Sequence, residues 1–221
     1  MGKGLHPSGY NNIIIGSVII ILIAIGLILF PFHLLIKVLI LITAIILIIW
    51  IALFFRKPKK TVNNAADNEI YSPAFGKVVV LEKIYEDRYF NEERIQLSIF
   101  MSMSNIHLNF MPCNGKLLNK EYQKGHNYHA RKAKASMLNE MSTLLIESNT
   151  GKQILMRQIA GAAARRVVTF IDKNESANAG DTIGVIRFGS RVDLILPVDT
   201  ELYIKVGDKV KGGWTLIGRF K

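Results

Sequence analysis

Two long apolar runs near the amino terminus restrict what this chain can fold into more than any other feature. Residues 13–30 are interrupted only by small residues, and residues 38–55 contain a single polar side chain, Thr43. As a helix, each run is about 27 Å long, which is close to the thickness of the hydrocarbon core of a bilayer. Pro31 lies between the runs and disfavours one continuous helix. The sequence therefore predicts a transmembrane α-helical hairpin.

Basic residues flank both apolar runs. Lys3 precedes the first run, and four Lys and Arg residues within 56–60 follow the second. By the positive-inside rule both ends of the hairpin face the cytoplasm, and each such charge adds about 1 kcal/mol of attraction to an anionic membrane surface. A cleaved signal peptide is disfavoured, because the apolar stretch is too long and no small-residue cleavage site follows it. We expect a membrane anchor in residues 1–60 and a second domain in residues 61–221.

The formal net charge of +11 is divided unequally between these regions. Residues 1–60 hold six Lys and Arg and no acidic residue, so they carry +6, and the remaining 22 bases and 17 acids give +5. No basic stripe with interleaved aromatic residues is present, which disfavours a nucleic acid partner. Cys113 is the only cysteine. It therefore excludes an internal disulfide and a cysteine-built metal site, and it fits a domain on the cytosolic side.

Residues 71–221 have the pattern of a mainly β domain with one or two short helices, resembling a β-sandwich or barrel. A helix is predicted over 128–141, and 161–166 is ambiguous between a short helix and a bend. A Gly-Asp turn followed by an apolar strand occurs twice, at Gly180 and at Gly207. Similar turns occur in lipoyl and biotinyl carrier domains, but no lysine lies in the hairpin context that a carrier needs. Strands are predicted at 77–84, 95–100, 143–147, 153–159, 167–171, 182–188, 192–196, 201–206 and 215–220.

The pair Gly189-Ser190 lies between two of these strands with no room for a loop. Glycine tolerates a strained backbone, and the serine hydroxyl can attack the carbonyl just before it, although Gly-Ser pairs are common. His107, after a strand and before a Pro- and Gly-rich turn, is placed either as a general acid or base or as a hydrogen-bonded structural histidine. His126 and His129 have no third ligand suitably spaced for zinc, so surface positions are favoured and no metal is expected.

Several motifs, taken together, identify an enzyme family. The motifs are Ser72-Pro-Ala-Phe-Gly-Lys-Val78, Leu97-Ser-Ile-Phe-Met-Ser102, Asn105-Ile-His107, Lys132-Ala-Lys-Ala-Ser-Met-Leu-Asn-Glu140, Arg157-Gln-Ile-Ala-Gly161, Ala164-Arg-Arg166 and Phe188-Gly-Ser-Arg-Val-Asp193. With these motifs the chain strongly resembles the short bacterial and archaeal form of phosphatidylserine decarboxylase over residues 71–221, and the hydrophobic amino-terminal segment is similar to that of the family's large subunit.

The resemblance implies a pyruvoyl enzyme that cuts itself between Gly189 and Ser190. The large chain 1–189 and the small chain 190–221 would remain together as a heterodimer, with a pyruvoyl group made from Ser190 as the only cofactor. That group would form a Schiff base with phosphatidylserine, and loss of CO₂ would lead to phosphatidylethanolamine. His107 matches the family's proton-transferring histidine. The expected location is the cytoplasmic face of the cell (inner) membrane.

Two positions depart from the family pattern. Phe75 stands where the family has an aspartate, and Phe110 stands where the longer branch has a second histidine; together those two residues drive self-cleavage. We hypothesise that His107, or strain at Gly189-Ser190, is sufficient to activate the serine here. Two alternatives remain: an uncleaved membrane-tethered pseudoenzyme or scaffold, and a decarboxylase of a related serine lipid.

Overall fold

The computed structural model describes residues 10–29, 33–54, 56–58, 61–125, 138–161, 166–186 and 190–221. The chain divides into two compact units, Met1–Lys59 and Lys60–Lys221. The first unit is helical and the second consists of β-sheets. A mainly β protein with two helices is therefore confirmed.

The amino-terminal unit contains α1 (Tyr10–Leu29) and α2 (Leu34–Phe54), which contact each other. His33 immediately precedes α2, and its carbonyl oxygen accepts hydrogen bonds from the Ile36 and Lys37 amides at 3.0 and 3.2 Å. Large apolar side chains on both helices are exposed, Ile14 and Leu39 among them. Nevertheless, no helix in the described part of the chain is long and apolar enough to cross a membrane, so the predicted transmembrane hairpin is not supported.

In its described residues, the second unit consists of three antiparallel sheets. The largest has the strand order β13-β2-β3-β11-β7-β6-β5-β9, and the two smaller sheets have the orders β4-β10-β8 and β1-β14-β12. The strands are β1 (Glu69–Tyr71), β2 (Gly76–Glu86), β3 (Glu92–Met101), β4 (Leu108–Phe110), β5 (Gly115–Gln123), β6 (Met141–Ser148), β7 (Gln153–Ile159), β8 (Val167–Thr169), β9 (Ser176–Ala177), β10 (Thr182–Ile186), β11 (Ser190–Pro197), β12 (Glu201–Leu202), β13 (Lys209–Val210) and β14 (Leu216–Arg219).

Strand β11 lies in the interior of the large sheet. It pairs with β3 along its whole length, from Ser190 opposite Met101 to Pro197 opposite Arg94. On its other edge it pairs with β7. Both of its faces are buried from Ser190 to Leu196. Because both faces of β11 are covered by protein, its polar side chains cannot reach water. They therefore need hydrogen-bond partners inside the protein.

The main core joins the large sheet to the smaller sheets. Leu97, Ile99 and Val192 come from the centre of the large sheet, whereas Ile183 belongs to β10 and Ile217 to β14. All five side chains are at least 98 % buried. At about 25 cal/mol per Å² of apolar surface removed from water, such burial is the main force that holds the sheets together.

The repeat seen in the sequence is a repeated turn. Gly180 and Gly207 have φ angles of 86° and 101°, in the region that only glycine adopts without strain. The following aspartates, Asp181 and Asp208, each accept a hydrogen bond from the backbone amide three residues earlier, at 2.8 and 2.9 Å. Each aspartate amide in turn donates to the carbonyl of that same earlier residue. Two separate segments therefore use one turn geometry.

The differences from prediction concern polar or irregular segments. Strand β5 was not predicted, because its alternating lysine, asparagine and glutamate residues lack an apolar pattern. The predicted strand 201–206 ends at Leu202, since the turn at Gly207 begins soon after it. Most of the predicted helix 128–141 lies outside the described residues. Its predicted end is wrong, because Met141 is the first residue of β6.

Candidate active site

Ser190 is the first residue of β11 and is completely buried. Its Oγ donates a hydrogen bond to the Met101 Sδ at 3.3 Å, across the β3–β11 ladder. A thioether sulfur is a weak acceptor. In the described part of the chain, no other group accepts a hydrogen bond from this hydroxyl. The serine is therefore held in a dry environment without being tied to a strong partner.

The opposite face of β11 has a very different pair of residues. The Arg191 guanidinium binds the Asp193 carboxylate through two hydrogen bonds, Nε to Oδ1 at 2.7 Å and Nη2 to Oδ2 at 2.8 Å. Both side chains are almost fully buried, at 2 % and 0 % exposure. A bidentate pair is the geometry in which two buried charges best compensate their loss of hydration. It fixes the strand immediately after Ser190.

His107 precedes β4 and is buried. Its Nδ1 lies 2.9 Å from the carbonyl oxygen of Asn105. Because a carbonyl oxygen can only accept, Nδ1 carries the hydrogen in the neutral ring, and Nε2 is the nitrogen that can take up a proton. The His107 backbone is also fixed, since its carbonyl oxygen accepts from the Ile186 amide at 3.2 Å. The imidazole ring and the backbone of His107 are therefore both positioned by contacts with backbone groups of other residues.

A buried chain of amides reaches the same sulfur as Ser190. Asn109 Nδ2 points at Met101 Sδ from 3.7 Å, and Asn109 Oδ1 accepts from Gln158 Nε2 at 2.8 Å. Gln158 Oε1 then accepts from the Thr169 hydroxyl at 2.7 Å. The Met101 sulfur therefore joins Ser190 to a buried network of Asn109, Gln158 and Thr169. His107 lies two residues before Asn109 in the chain.

Gly184 makes the arrangement of these amides possible. In the small sheet it lies directly between Asn109 and Thr169. A Cβ atom at this position would lie 2.4 Å from Gln158 Nε2 and 2.8 Å from the Val168 carbonyl oxygen. The Gln158 amide therefore passes over a strand that has no side chain at that point. Any larger residue would displace the amide or the backbone.

Phe75 and Phe110, the two positions that depart from the resemblance, lie against each other. Their ring centroids are 5.9 Å apart with an interplanar angle of 67°, an edge-to-face contact. Phe110 is fully buried, and Phe75 packs on the same small cluster. The two side chains therefore form one apolar contact. Neither residue can exchange a proton with Ser190.

A cavity of about 730 Å³ opens beside the site. Ser102 and Asn105 belong to its wall, and they lie next to Met101 and His107 in the chain. The Asn105 Oδ1 accepts from the Ser102 amide at 2.8 Å and from its hydroxyl at 2.7 Å, which closes this part of the wall. Phe75 and Phe100 also line the cavity. A substrate of moderate size can therefore approach the site from this side.

The structure places the Ser190 hydroxyl against Met101, which lies in the motif Leu97-Ser-Ile-Phe-Met-Ser102, and it fixes His107 through contacts with Asn105 and Ile186. Gly189 and Phe188 lie outside the described residues, as do His126 and His129. Burial raises the pKa of the Cys113 thiol to about 12, so this cysteine stays protonated. Among the described residues, no group of three potential ligands could hold a metal ion.

Sequence reasoning missed Asn109, Gln158 and Thr169. Gln158 lies within the quoted motif Arg157-Gln-Ile-Ala-Gly161, which was the available signal. Its polar side chain in the middle of an apolar strand had no visible partner, because Asn109 is 49 positions away. A polar residue in a predicted interior strand is a useful indicator of a buried network, since it must be hydrogen-bonded there.

A mainly β domain with a buried serine at a strand start, a buried histidine just before another strand and an adjoining cavity is a framework that suits an enzyme. The family model for phosphatidylserine decarboxylase matches residues 47–218. The chain belongs to this family.

Three relatives illustrate the similarity, and each is called a phosphatidylserine decarboxylase proenzyme. The protein of Cytophaga hutchinsonii is 38% identical, covering 98% of both chains. That of Phocaeicola vulgatus is 36% identical over 98% of this chain and 95% of the relative. The protein of Syntrophotalea carbinolica is 42% identical over 79% of this chain and 81% of its own length. No solved structure matches the chain.

Proposed function

We propose that this chain is the proenzyme of a carboxy-lyase that converts phosphatidylserine to phosphatidylethanolamine, and that it matures by cutting itself between Gly189 and Ser190. The observation that carries the proposal is the buried Ser190 hydroxyl, for which the described residues offer only a weak acceptor. Family membership and the names of the relatives support the substrate.

Self-cleavage begins with Ser190. Its Oγ forms a bond to the carbonyl carbon of Gly189, while the hydroxyl proton passes to His107 Nε2. The peptide C–N bond then breaks and its nitrogen takes up the proton, which leaves an ester. β-Elimination then breaks the Cβ–Oγ bond of Ser190, so that this oxygen leaves as part of the new Gly189 carboxylate. The dehydroalanine that remains tautomerises to an imine, and one water molecule hydrolyses the imine to the pyruvoyl ketone and ammonia. The tautomer of His107, with Nδ1 donating to Asn105, is the one that this step requires.

Asn109 supplies a hydrogen-bond donor for the oxygen that becomes negative during the attack. In the described residues, the only acceptor near its Nδ2 is the Met101 sulfur at 3.7 Å. An oxyanion is a far better acceptor than a thioether, so the interaction strengthens in the transition state. Gln158 positions the Asn109 amide by donating to its oxygen. These groups take over the stabilisation that Phe75 and Phe110 cannot provide.

The surroundings of Ser190 fit a pyruvoyl group. The residue is buried, Asn109 offers a donor to a carbonyl oxygen, and no charged side chain lies on this face of β11. The group supplies a carbonyl that reacts with a primary amine and a sink for the electrons that CO₂ leaves behind. His107 would then deliver a proton to the product carbon, and the buried position of the site excludes competing water.

The two products of cleavage would remain a heterodimer. The small chain 190–221 retains β11, β12, β13 and β14. Its β11 stays hydrogen-bonded to β3 on one edge and to β7 on the other, and both of those strands belong to the large chain. Cleavage removes one peptide bond and leaves these ladders in place.

A membrane location follows from the substrate. We place the enzyme at the cytoplasmic face of the cell membrane, with the amino-terminal helices contributing to attachment. Support comes from the exposed apolar side chains of α1 and α2 and from the basic residues 56–60 after them. A lipid enzyme held at the surface meets a substrate that is already concentrated there.

Replacing Ser190 with alanine tests the proposal. We expect intact-mass spectrometry to show only the full chain of 24.8 kDa and no decarboxylase activity. The unchanged protein should give fragments 1–189 and 190–221, with the smaller one blocked at its amino terminus. Decarboxylation by Ser190→Ala would contradict the mechanism.

The second candidate is an uncleaved scaffold at the membrane. The observation in its favour is the Phe75–Phe110 contact, which removes both members of the acid–base pair. This alternative expects a single intact chain even from the unchanged protein after long incubation. The same mass measurement therefore separates the two functions.

A further inference from the structure

Three lysines line the cavity beside the candidate active site. Lys77 on β2 and Lys209 on β13 are direct partners across the ladder, and Lys211 follows two residues later. All three side chains are exposed. Like charges directly opposite each other on a sheet destabilise it. A folded domain that keeps such a cluster at one cavity therefore needs a separate reason for it.

The positive charge of this lysine cluster is not balanced by nearby acids. Within the described part of the chain, no carboxylate forms an ion pair with any of the three ammonium groups. The carboxylate next in sequence, Asp208, instead accepts a hydrogen bond from the Lys205 amide at 2.9 Å. An anion that enters the cavity would meet three uncompensated charges.

The remaining walls combine apolar and polar groups. Phe75 and Phe100 are half-buried and Val206 is exposed, so the cavity offers apolar surface next to the lysine cluster. Ser102 and Asn105 form its polar part. Ser102 follows Met101, which contacts the Ser190 hydroxyl, and the Asn105 carbonyl holds His107. The cavity therefore borders on the reacting atoms.

We propose that the lysine cluster binds the phosphodiester of the serine phospholipid. The inference rests on the proposed function, because it assumes that the substrate's amino group reaches Ser190. In a phosphoserine headgroup only two carbon atoms separate the ester oxygen from the carbon and nitrogen that react, so a phosphate site must adjoin the catalytic site. Ammonium groups bind phosphate oxygens through charge-assisted hydrogen bonds. The phenylalanine and valine side chains face the glycerol and the first carbons of the acyl chains.

The test is the triple variant Lys77→Gln, Lys209→Gln and Lys211→Gln in the full chain. We expect self-cleavage at the normal rate, because the phosphate takes no part in it. For the mature enzyme the KM for phosphatidylserine in mixed micelles should rise at least about tenfold, the value of one charge-assisted hydrogen bond, with kcat within about twofold. A matched control removes the same charge from exposed lysines outside the cavity, with Lys83, Lys116 and Lys173 all changed to Gln. It should leave the KM unchanged.

A second measurement avoids turnover and separates the phosphodiester from the membrane surface. Calorimetry with glycerophosphoserine, which lacks acyl chains, is performed on the Ser190→Ala chain with and without the three Lys→Gln changes. We expect the Kd for glycerophosphoserine to be at least about tenfold higher with the three Lys→Gln changes than without them. An unchanged Kd, together with weaker sedimentation with anionic vesicles, would show that the lysines contact the membrane and would overturn the inference.

Failure of the inference can be told apart from failure of the function. If the unchanged protein does not cleave itself or does not decarboxylate phosphatidylserine, the proposed function is wrong. If it does both, and the triple variant keeps its KM and its affinity for glycerophosphoserine, then only the phosphate site is wrong.

Discussion

The two faces of strand β11 hold their buried polar side chains in opposite ways, one through strong hydrogen bonds and the other through a weak one. On one face, Arg191 and Asp193 bind each other through two short hydrogen bonds in a buried pair. On the other face, Ser190 is equally buried, but among the described residues its hydroxyl finds only the Met101 sulfur, at 3.3 Å. The comparison shows how a reactive group can be placed accurately without being neutralised. The paired face supplies the rigidity, and the weakly bonded face leaves the hydroxyl available.

The largest effect is expected from breaking the ion pair. Asp193→Asn leaves the Arg191 charge buried without its counter-charge, which should lower the free energy of unfolding by about 3–5 kcal/mol. The measurement is denaturant unfolding of the Ser190→Ala chain with and without the change, so that only one polypeptide is present.

A carboxylate at the surface provides the control for this change. Asp199 pairs with Lys152 at 2.8 Å, but its side chain is 45 % exposed. Asp199→Asn should therefore cost no more than about 1 kcal/mol. Equal losses for Asp193 and Asp199 would remove the assigned distinction between the two faces.

A smaller effect on stability, with a large effect on reaction rate, is expected on the Ser190 face. Asn109→Leu removes the donor proposed for the oxyanion, and loss of one such donor slows acyl chemistry by about 10²–10³-fold. The rate of appearance of the fragment 190–221, followed by electrophoresis, measures it. Asn119→Leu applies the same substitution to a half-buried asparagine on β5 and should leave the rate unchanged. If Asn109→Leu cleaved itself at the normal rate, Asn109 could not be the donor to the oxyanion.

A substitution at Gln158 separates the positioning of the Asn109 amide from the contact that this amide makes with the oxyanion. Gln158→Leu leaves the Asn109 amide in place but removes the partner that orients it. We expect cleavage to slow by about tenfold, equivalent to about 1.4 kcal/mol, which is less than the effect of Asn109→Leu. In the double variant the two effects should not add, because both act through one amide. Additive effects would mean that Gln158 acts only on stability.

The smallest effect is expected at Met101. Met101→Leu nearly conserves volume and should cost less than about 1.5 kcal/mol of stability. The lost hydrogen bond to sulfur is weak, so cleavage should change by no more than about fivefold, or about 1 kcal/mol. If Met101→Leu slowed cleavage as much as Asn109→Leu, the thioether would be shown to orient the Ser190 hydroxyl. The two faces of β11 would then not differ in how firmly they hold their polar groups.

Sequence patterns were sufficient for the strands on both sides of Gly189-Ser190 and for the mainly β fold. They were sufficient because runs such as 153–159 and 192–196 are rich in apolar residues and lie between turn residues. The pairing of Arg191 with Asp193 was not predicted, since local sequence does not tell that both charges are buried. The contact between Phe75 and Phe110 was not predicted either. It depends on a tertiary approach of two segments that share no periodicity.

If the chain is cut between Gly189 and Ser190 as proposed, the position of β11 in the large sheet also changes how the protein folds. The uncut chain folds as one polypeptide, so its central strand is covalently connected to the strands that it pairs with. After the proposed cut, that strand would belong to a separate peptide that must bind between β3 and β7 by diffusion. Refolding of the cleaved protein would therefore be a bimolecular reaction whose yield depends on concentration. A cleaved molecule that unfolds would therefore have to reassemble from two polypeptides, whereas the uncut chain folded from one.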